Sequence, residues 1–160
     1  MSNATNTATS VQTSIVVDAT VERAFEVFTT DMASWWTPEH HLIQDVVAME
    51  VEPRVGGHII DRGADGTECR WARVLAYDPP YRFTFSWDIS LQWQVETDPA
   101  KTSEVEVRFV EEGATRTRVE LEHRHLDRHG EGWEGMRAAV GSHDGWPVGL
   151  ERLAAHIANG

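Results

Sequence analysis

From Val46 to Arg124, nearly half of the chain, apolar and polar residues alternate with a period of two. That spacing places successive side chains on opposite faces of an extended strand, so this stretch must build a sheet with one face inward. Val47, Met49 and Val51 alternate with Ala48, Glu50 and Glu52, and His58 to Arg62 follows as a short strand. Pro53-Arg54-Val55-Gly56-Gly57 and Gly63-Ala64-Asp65-Gly66 have turn chemistry, the second that of a hairpin. A longer strand over Thr67 to Tyr77 is broken by Asp78-Pro79-Pro80, and Tyr81 to Trp87 carries Phe83, Phe85 and Trp87 on one face. Ser90 to Lys101 has a weaker pattern and ends in a loop at Asp98-Pro99. Glu104 to Glu111 and Thr115 to His125 complete the sheet, the latter with Thr117, Val119, Leu121 and His123 on one face. Short turns between strands with one polar face predict antiparallel neighbours.

Helical spacing brackets this region. Val11 to Asp18 reads as a strand, and Thr20 as the N-cap of an amphipathic helix carrying Val21, Ala24, Phe25, Val27 and Phe28. A second short helix holding Met32, Trp35 and Trp36 is expected to close at Pro38. Residues 126–132 are polar and contain glycine, which predicts a loop. A short helix follows from Trp133. A longer one begins near Ser142–Trp146, with Trp146, Leu150, Leu153 and Ile157 as its buried stripe and Pro147 in its first turn. Helices segregated from an antiparallel sheet of six to seven strands make an α+β domain, in which a curved sheet wraps around the last helix. The space between them is a natural pocket. Residues 1–10 lack periodicity and are expected to be a disordered tail, leaving residues 11–160 as a single domain.

Composition narrows the partners. The formal charge of −12 repels phosphate backbones and anionic lipid heads, so neither nucleic acid nor a membrane surface is an expected partner. The start of the chain lacks a basic n-region and an apolar h-region, and a single cysteine, Cys69, cannot form an internal disulfide; a cytoplasmic location is expected. Seven tryptophans exceed what a compact core of this size needs and point to a tryptophan-lined cavity or interface.

The aromatic set Trp35, Trp36, Phe83, Phe85, Trp87, Trp133 and Trp146, with Met136, is the expected wall of a pocket for a flat apolar ligand; for Phe83 and Phe85 the competing reading is ordinary core. Among eight histidines, His123 and His125 point the same way on one strand, and His129 and His143 lie in or near the following loop and helix start. His123 shares its parity with Val119 and Leu121 and is expected to face the cavity, where a neutral imidazole orients a ligand or transfers a proton; a hydrogen-bonded core histidine is the commoner case. His143 is the second catalytic candidate, and His40-His41 reads as a solvated loop pair. A zinc site needs three or four converging ligands, and two histidines on a strand without companions do not supply them, so neither metal nor cofactor is expected. Glu68, Arg70 and Arg73, and Glu104, Glu106 and Arg108, read as cross-strand pairs on the solvent face. Arg82 and Asp88 bracket the phenylalanine-rich strand as a surface pair or a polar group at a pocket mouth, and Cys69 reads as a buried, inert thiol. No GxSxG, Walker or GxGxxG motif is present.

The chain resembles the SRPBCC (START-like, Bet v-like) superfamily, in the branch of the activator of heat-shock-protein-90 ATPase that includes polyketide cyclase-like members. The resemblance rests on Ala19-Thr20-Val21-Glu22-Arg23-Ala24-Phe25, Trp35-Trp36, Pro53-Arg54-Val55-Gly56-Gly57, Asp78 to Trp87, Thr117 to His123 and Gly145-Trp146-Pro147, in that order. It extends from about residue 12 to residue 158 and departs from the family pattern near Thr20, where a proline is common. It implies a helix-grip fold with a hydrophobic cavity under the C-terminal helix. It does not fix one chemistry, since relatives include lipid and hormone carriers, cyclases, self-resistance proteins and a co-chaperone. The expected function is binding of a small hydrophobic or aromatic molecule in that cavity. The alternatives are a polyketide cyclase/dehydratase-like or hydrolytic enzyme, or a self-resistance protein, using the same cavity, and third a co-chaperone-like protein-binding module. A homodimer is compatible with each.

Overall fold

The computed structural model describes residues 9–160. The tail expected over residues 1–10 lies outside the described residues as far as residue 8; Ser10 is buried, and its carbonyl accepts from Arg137 Nε at 3.2 Å. The elements run β1 (Val11–Val17), α1 (Val21–Thr29), α2 (Met32–Trp35), β2 (Val46–Val51), β3 (His58–Gly63), β4 (Glu68–Asp78), β5 (Arg82–Trp87), β6 (Ser103–Gly113), β7 (Arg116–Arg124), α3 (Trp133–Gly141) and α4 (Trp146–Asn159). The strands form one antiparallel sheet in the order β1-β7-β6-β5-β4-β3-β2, curved into a half-barrel around the helices. Register shifts at Val46/Ala48, Ile59/Ile60, Val74/Ala76 and Glu111/Gly113 supply bends along it.

Local chemistry accounts for the boundaries. Thr20 Oγ1 accepts from Arg23 N at 3.1 Å and starts α1, whose apolar face is buried by Val21, Ala24, Phe25, Val27 and Phe28. Gly66, at φ +90°, takes the left-handed corner of the β3–β4 hairpin. Pro147 stands in the first turn of α4, and Trp146, Leu150, Leu153 and Ile157 form its buried stripe. Thr117, Val119, Leu121 and His123 all face inward from β7, as their parity required.

Three details differ from the pattern. Pro38 does not simply close the second helix; it opens a 3-10 turn over Pro38–His40, where its missing N–H costs nothing. Val47 is exposed although Met49 and Val51 are buried, because the bulge between Val46 and Ala48 resets the alternation. Residues 126–132 are not a plain surface loop: Leu126–His129 is a 3-10 turn that buries both Leu126 and His129. The weakly patterned segment from Ser90 to Lys101 forms no named strand: Val95 makes an isolated bridge to Ile89, and Pro99–Lys101 is a 3-10 turn. Among the described residues no helix is long and apolar enough to cross a membrane.

Candidate functional site

A cleft of about 480 Å³ opens between the end of α2, the end of β5 and the junction of α3 with α4. That volume is in the range of small-molecule sites, roughly 300–1,000 Å³. Trp35 and Trp36 enter from α2, Trp87 and Ile89 from β5 and the residues after it, and Trp146 and Gly149 from α4. Thr37 and residues 39–42 form one lip; Val140, Ser142 and Asp144 form another. Trp93 completes the mouth; it is half exposed and held at φ +59°.

The indoles brace one another. Trp36 has its ring centroid 5.7 Å from that of Trp35, 5.1 Å from Trp71 and 5.8 Å from Trp146, and Trp146 is 5.6 Å from Trp87. Tilted and edge-to-face pairs at these distances are the favoured aromatic geometries, each contributing ~0.5–1.5 kcal/mol beyond burial. Their N–H groups mostly point into the protein. Trp35 Nε1 donates to Val27 O at 3.1 Å, Trp71 Nε1 to Asp61 Oδ1 at 3.2 Å and Trp146 Nε1 to His123 Nδ1 at 3.0 Å, whereas Trp87 Nε1 is buried without a partner. The wall therefore offers ligand chiefly aromatic surface.

Of the residues singled out in the sequence, Trp35, Trp36, Trp87 and Trp146 converge on the cleft. Phe83 and Phe85 are wholly buried, their rings tilted against each other with centroids 5.3 Å apart, in the core behind it. Met136 is buried in that core, and Trp133, half-buried at the start of α3, packs against it without lining the cleft. His123 is also wholly buried, one ring behind Trp146. Desolvation, followed by the neighbouring His129, pushes its pKa down to about 3, so it is neutral. Its Nε2 lies 2.7 Å from Ser103 Oγ, which lies 2.7 Å from His129 Nε2. Burial likewise lowers the His129 pKa, against the opposing pull of Glu96 and Asp88. His143 is exposed and pairs with Glu151 at 3.2 Å. Neither His123 nor His143 lines the cleft.

His40 is exposed as expected, but His41 is not a solvated loop residue: it is half-buried, lines the cleft, and its Nδ1 lies 2.8 Å from Asp61 Oδ2. Asp61 is buried, and its presence beside Ile59 and Ile60 in β3 was the sequence signal for this contact. Arg82 and Asp88 do not pair with each other. Arg82 pairs with Asp78 at 2.8 Å, while buried Asp88 takes both Nε and Nη2 of Arg73 at 3.0 Å. Cys69 is buried, and burial followed by the Asp61 charge raises its thiol pKa. Among the described residues no three His, Cys, Asp or Glu side chains gather as a cation site.

Comparison with known proteins places this architecture. The family described as Activator of Hsp90 ATPase homolog 1-like protein matches residues 18–158. Among solved structures, an anthrahydroquino-γ-pyrone synthase, Txn09, complexed with SUM, is 42% identical, with 92% of this chain and 96% of that chain covered and a TM-score of 0.66. The self-sacrificing resistance protein CalC from Micromonospora echinospora is 28% identical, with 96% and 97% covered and a TM-score of 0.70. The Aha1 dimer from Colwellia psychrerythraea shares the fold at 17% identity, with 92% and 95% covered and a TM-score of 0.59. No curated protein matches.

Proposed function

The chain belongs to the family of Activator of Hsp90 ATPase homolog 1-like proteins, and from that footing we propose that it binds a flat, largely apolar aromatic small molecule in the tryptophan-lined cleft. The observation that carries this reading is the convergence of Trp35, Trp36, Trp87, Trp93 and Trp146 on one concave space of about 480 Å³. Flat rings stacking on indoles gain both buried area and favourable edge-to-face or offset contacts. A concave space of this size suits a small molecule, whereas a stable protein partner needs a surface burying about 1,000 Å² or more.

Titration of an anthraquinone-type probe against tryptophan fluorescence tests the reading. Saturable quenching that is lost in Trp36→Ala supports it. No saturable change in the wild-type protein overturns it.

A second reading, enzymatic turnover of the bound aromatic, is favoured by one observation: 42% identity, over nearly the full length of both chains, to an anthrahydroquino-γ-pyrone synthase. Mass spectrometry of an anthrahydroquinone recovered after incubation separates the two. A new product supports turnover, and unchanged ligand supports binding alone.

A further inference from the structure

Asp61 is a carboxylate with 1% of its surface exposed, set between Ile60 and Arg62 in β3. Burying a carboxylate costs several kcal/mol unless its oxygens are satisfied. Both are: Oδ1 accepts from Trp71 Nε1 at 3.2 Å, and Oδ2 faces Nδ1 of His41 at 2.8 Å. Against an oxygen that only accepts, Nδ1 must carry the proton. The lone pair of the ring then lies on Nε2, and among the described residues the hydrogen bond of this ring is the one made by Nδ1. His41 lines the cleft.

The remaining titratable groups of the cleft are differently placed. Glu39 and His40 on the same lip, and Asp144 on the facing one, are exposed and have no buried counter-charge. His41 alone combines a place in the cleft wall with a buried carboxylate behind it. A histidine so backed is oriented in one tautomer, with its Nδ1 held against the buried carboxylate.

We propose that His41, positioned by Asp61, is the proton-accepting group of this cleft, and that the cleft's ligands are flat aromatics bearing a phenolic or enolic hydroxyl. This rests on the cleft being the ligand site. The ligand's O–H bond breaks and its proton bonds to Nε2, while the electron pair remains on the oxygen as phenolate or enolate. The imidazolium is then held between that oxygen and the Asp61 carboxylate. Tryptophan surface holds the ring system, and the acid–base pair selects hydroxylated rings over plain hydrocarbons.

The probe is a dihydroxyanthraquinone whose neutral and anionic forms absorb at different wavelengths, used with the full chain at a pH where the free probe is neutral. The wild-type protein is expected to bind it with the anionic spectrum. His41→Gln is expected to bind about tenfold more weakly and with the neutral spectrum, through loss of one charge-assisted contact. Glu134→Gln, exposed on α3 and outside the cleft, is expected to keep the anionic spectrum. Asp61→Asn, provided circular dichroism shows it folded, is expected to shift the bound probe toward the neutral form. A neutral spectrum on the wild-type protein, or an anionic one on His41→Gln, overturns the His41 assignment while leaving the cleft as the binding site. No binding to the wild-type protein overturns both.

Discussion

The indole Nε1–H of Trp146, a wall of the cleft, donates to Nδ1 of wholly buried His123 across 3.0 Å. This contact fixes a train of protons. An acceptor at Nδ1 puts the imidazole proton on Nε2, which donates to Ser103 Oγ; the Ser103 hydroxyl then donates to His129 Nε2, leaving His129 with its proton on Nδ1. That last N–H is buried without a partner. His123 therefore lies behind the cleft wall, hydrogen-bonded to Trp146 and packed on Trp87 with ring centroids 5.1 Å apart.

Replacing Trp146 by phenylalanine removes this donor and leaves a buried imidazole acceptor unsatisfied. Replacing Trp87 by phenylalanine deletes a ring of the same size whose N–H has no partner to lose. The loss of ring area is common to both variants, so Trp146→Phe should be less stable than Trp87→Phe by about 1–3 kcal/mol. Urea midpoints measure the difference, and equal stabilities would show that the Trp146–His123 bond contributes nothing.

The depressed pKa of His123 makes the fold acid-sensitive in a defined window. With a folded pKa of about 3 against an unfolded value near 6.5, the unfolded chain binds the extra proton between these limits, so stability falls as pH is lowered through 6.5. For one such histidine the loss from about pH 7.5 to about pH 5.5 is about 1.4 kcal/mol. His129 adds to it in the same direction. The carboxylates whose pKa values are lowered, Glu52, Asp65 and Glu68, titrate below this window. His123→Asn should remove about 1.4 kcal/mol of this pH dependence, measured as the change in unfolding free energy between the two pH values. An unchanged slope would mean that His123 is not held neutral in the folded protein.

The fold was legible because its signals are local and periodic. Parity placed Thr117, Val119, Leu121 and His123 inward, and Thr20 and Pro147 marked two helix starts. The site was legible only in part. Trp35, Trp36, Trp87 and Trp146 declare themselves by size, but depth does not: Phe83, Phe85 and His123 share the cavity-facing side of the sheet yet are covered by other rings. His41 and Trp93 escaped because each is placed by a contact or a backbone turn with no period. His41 depends on a partner twenty residues away, and Trp93 on a left-handed backbone that its residue type does not announce.

Two glycines beside the cleft should respond oppositely to alanine. At Gly145 a Cβ would collide with the carbonyl oxygen of Val140 and come within 2.6 Å of that of Ala139, both of them backbone atoms at the end of α3. Gly145→Ala must push α4 away from α3, costing about 1–3 kcal/mol and moving adjacent Trp146. At Gly149, inside α4, a Cβ would meet Trp35 Cζ3 at 3.6 Å, an ordinary contact. Gly149→Ala should stabilise the protein by up to about 1 kcal/mol through helix propensity. Thermal unfolding of both variants checks the pair; destabilisation by Gly149→Ala would mean that its methyl does not fit against Trp35.

On the far side of the sheet, Glu106 is 5% exposed and receives three arginines: Arg108 Nε at 2.9 Å, Arg124 Nη1 at 3.4 Å and Arg82 Nη1 at 3.5 Å. Arg82 and Arg108 lie directly opposite each other on β5 and β6, a like-charge pairing that destabilises unless an anion sits beside it. Glu106 is that anion. The arginines are partly solvated, so their repulsion is screened, and Glu106→Ala should cost about 1–3 kcal/mol, less than the loss of one partner from a fully buried pair. Glu106→Gln keeps the shape and one acceptor and should cost less than Glu106→Ala. Because the released repulsion between arginines is electrostatic, raising the salt concentration should narrow the gap between Glu106→Ala and wild type. Unfolding free energies at low and high salt measure this. A Glu106→Ala variant as stable as wild type at low salt would show that the three arginines are neutralised by solvent alone.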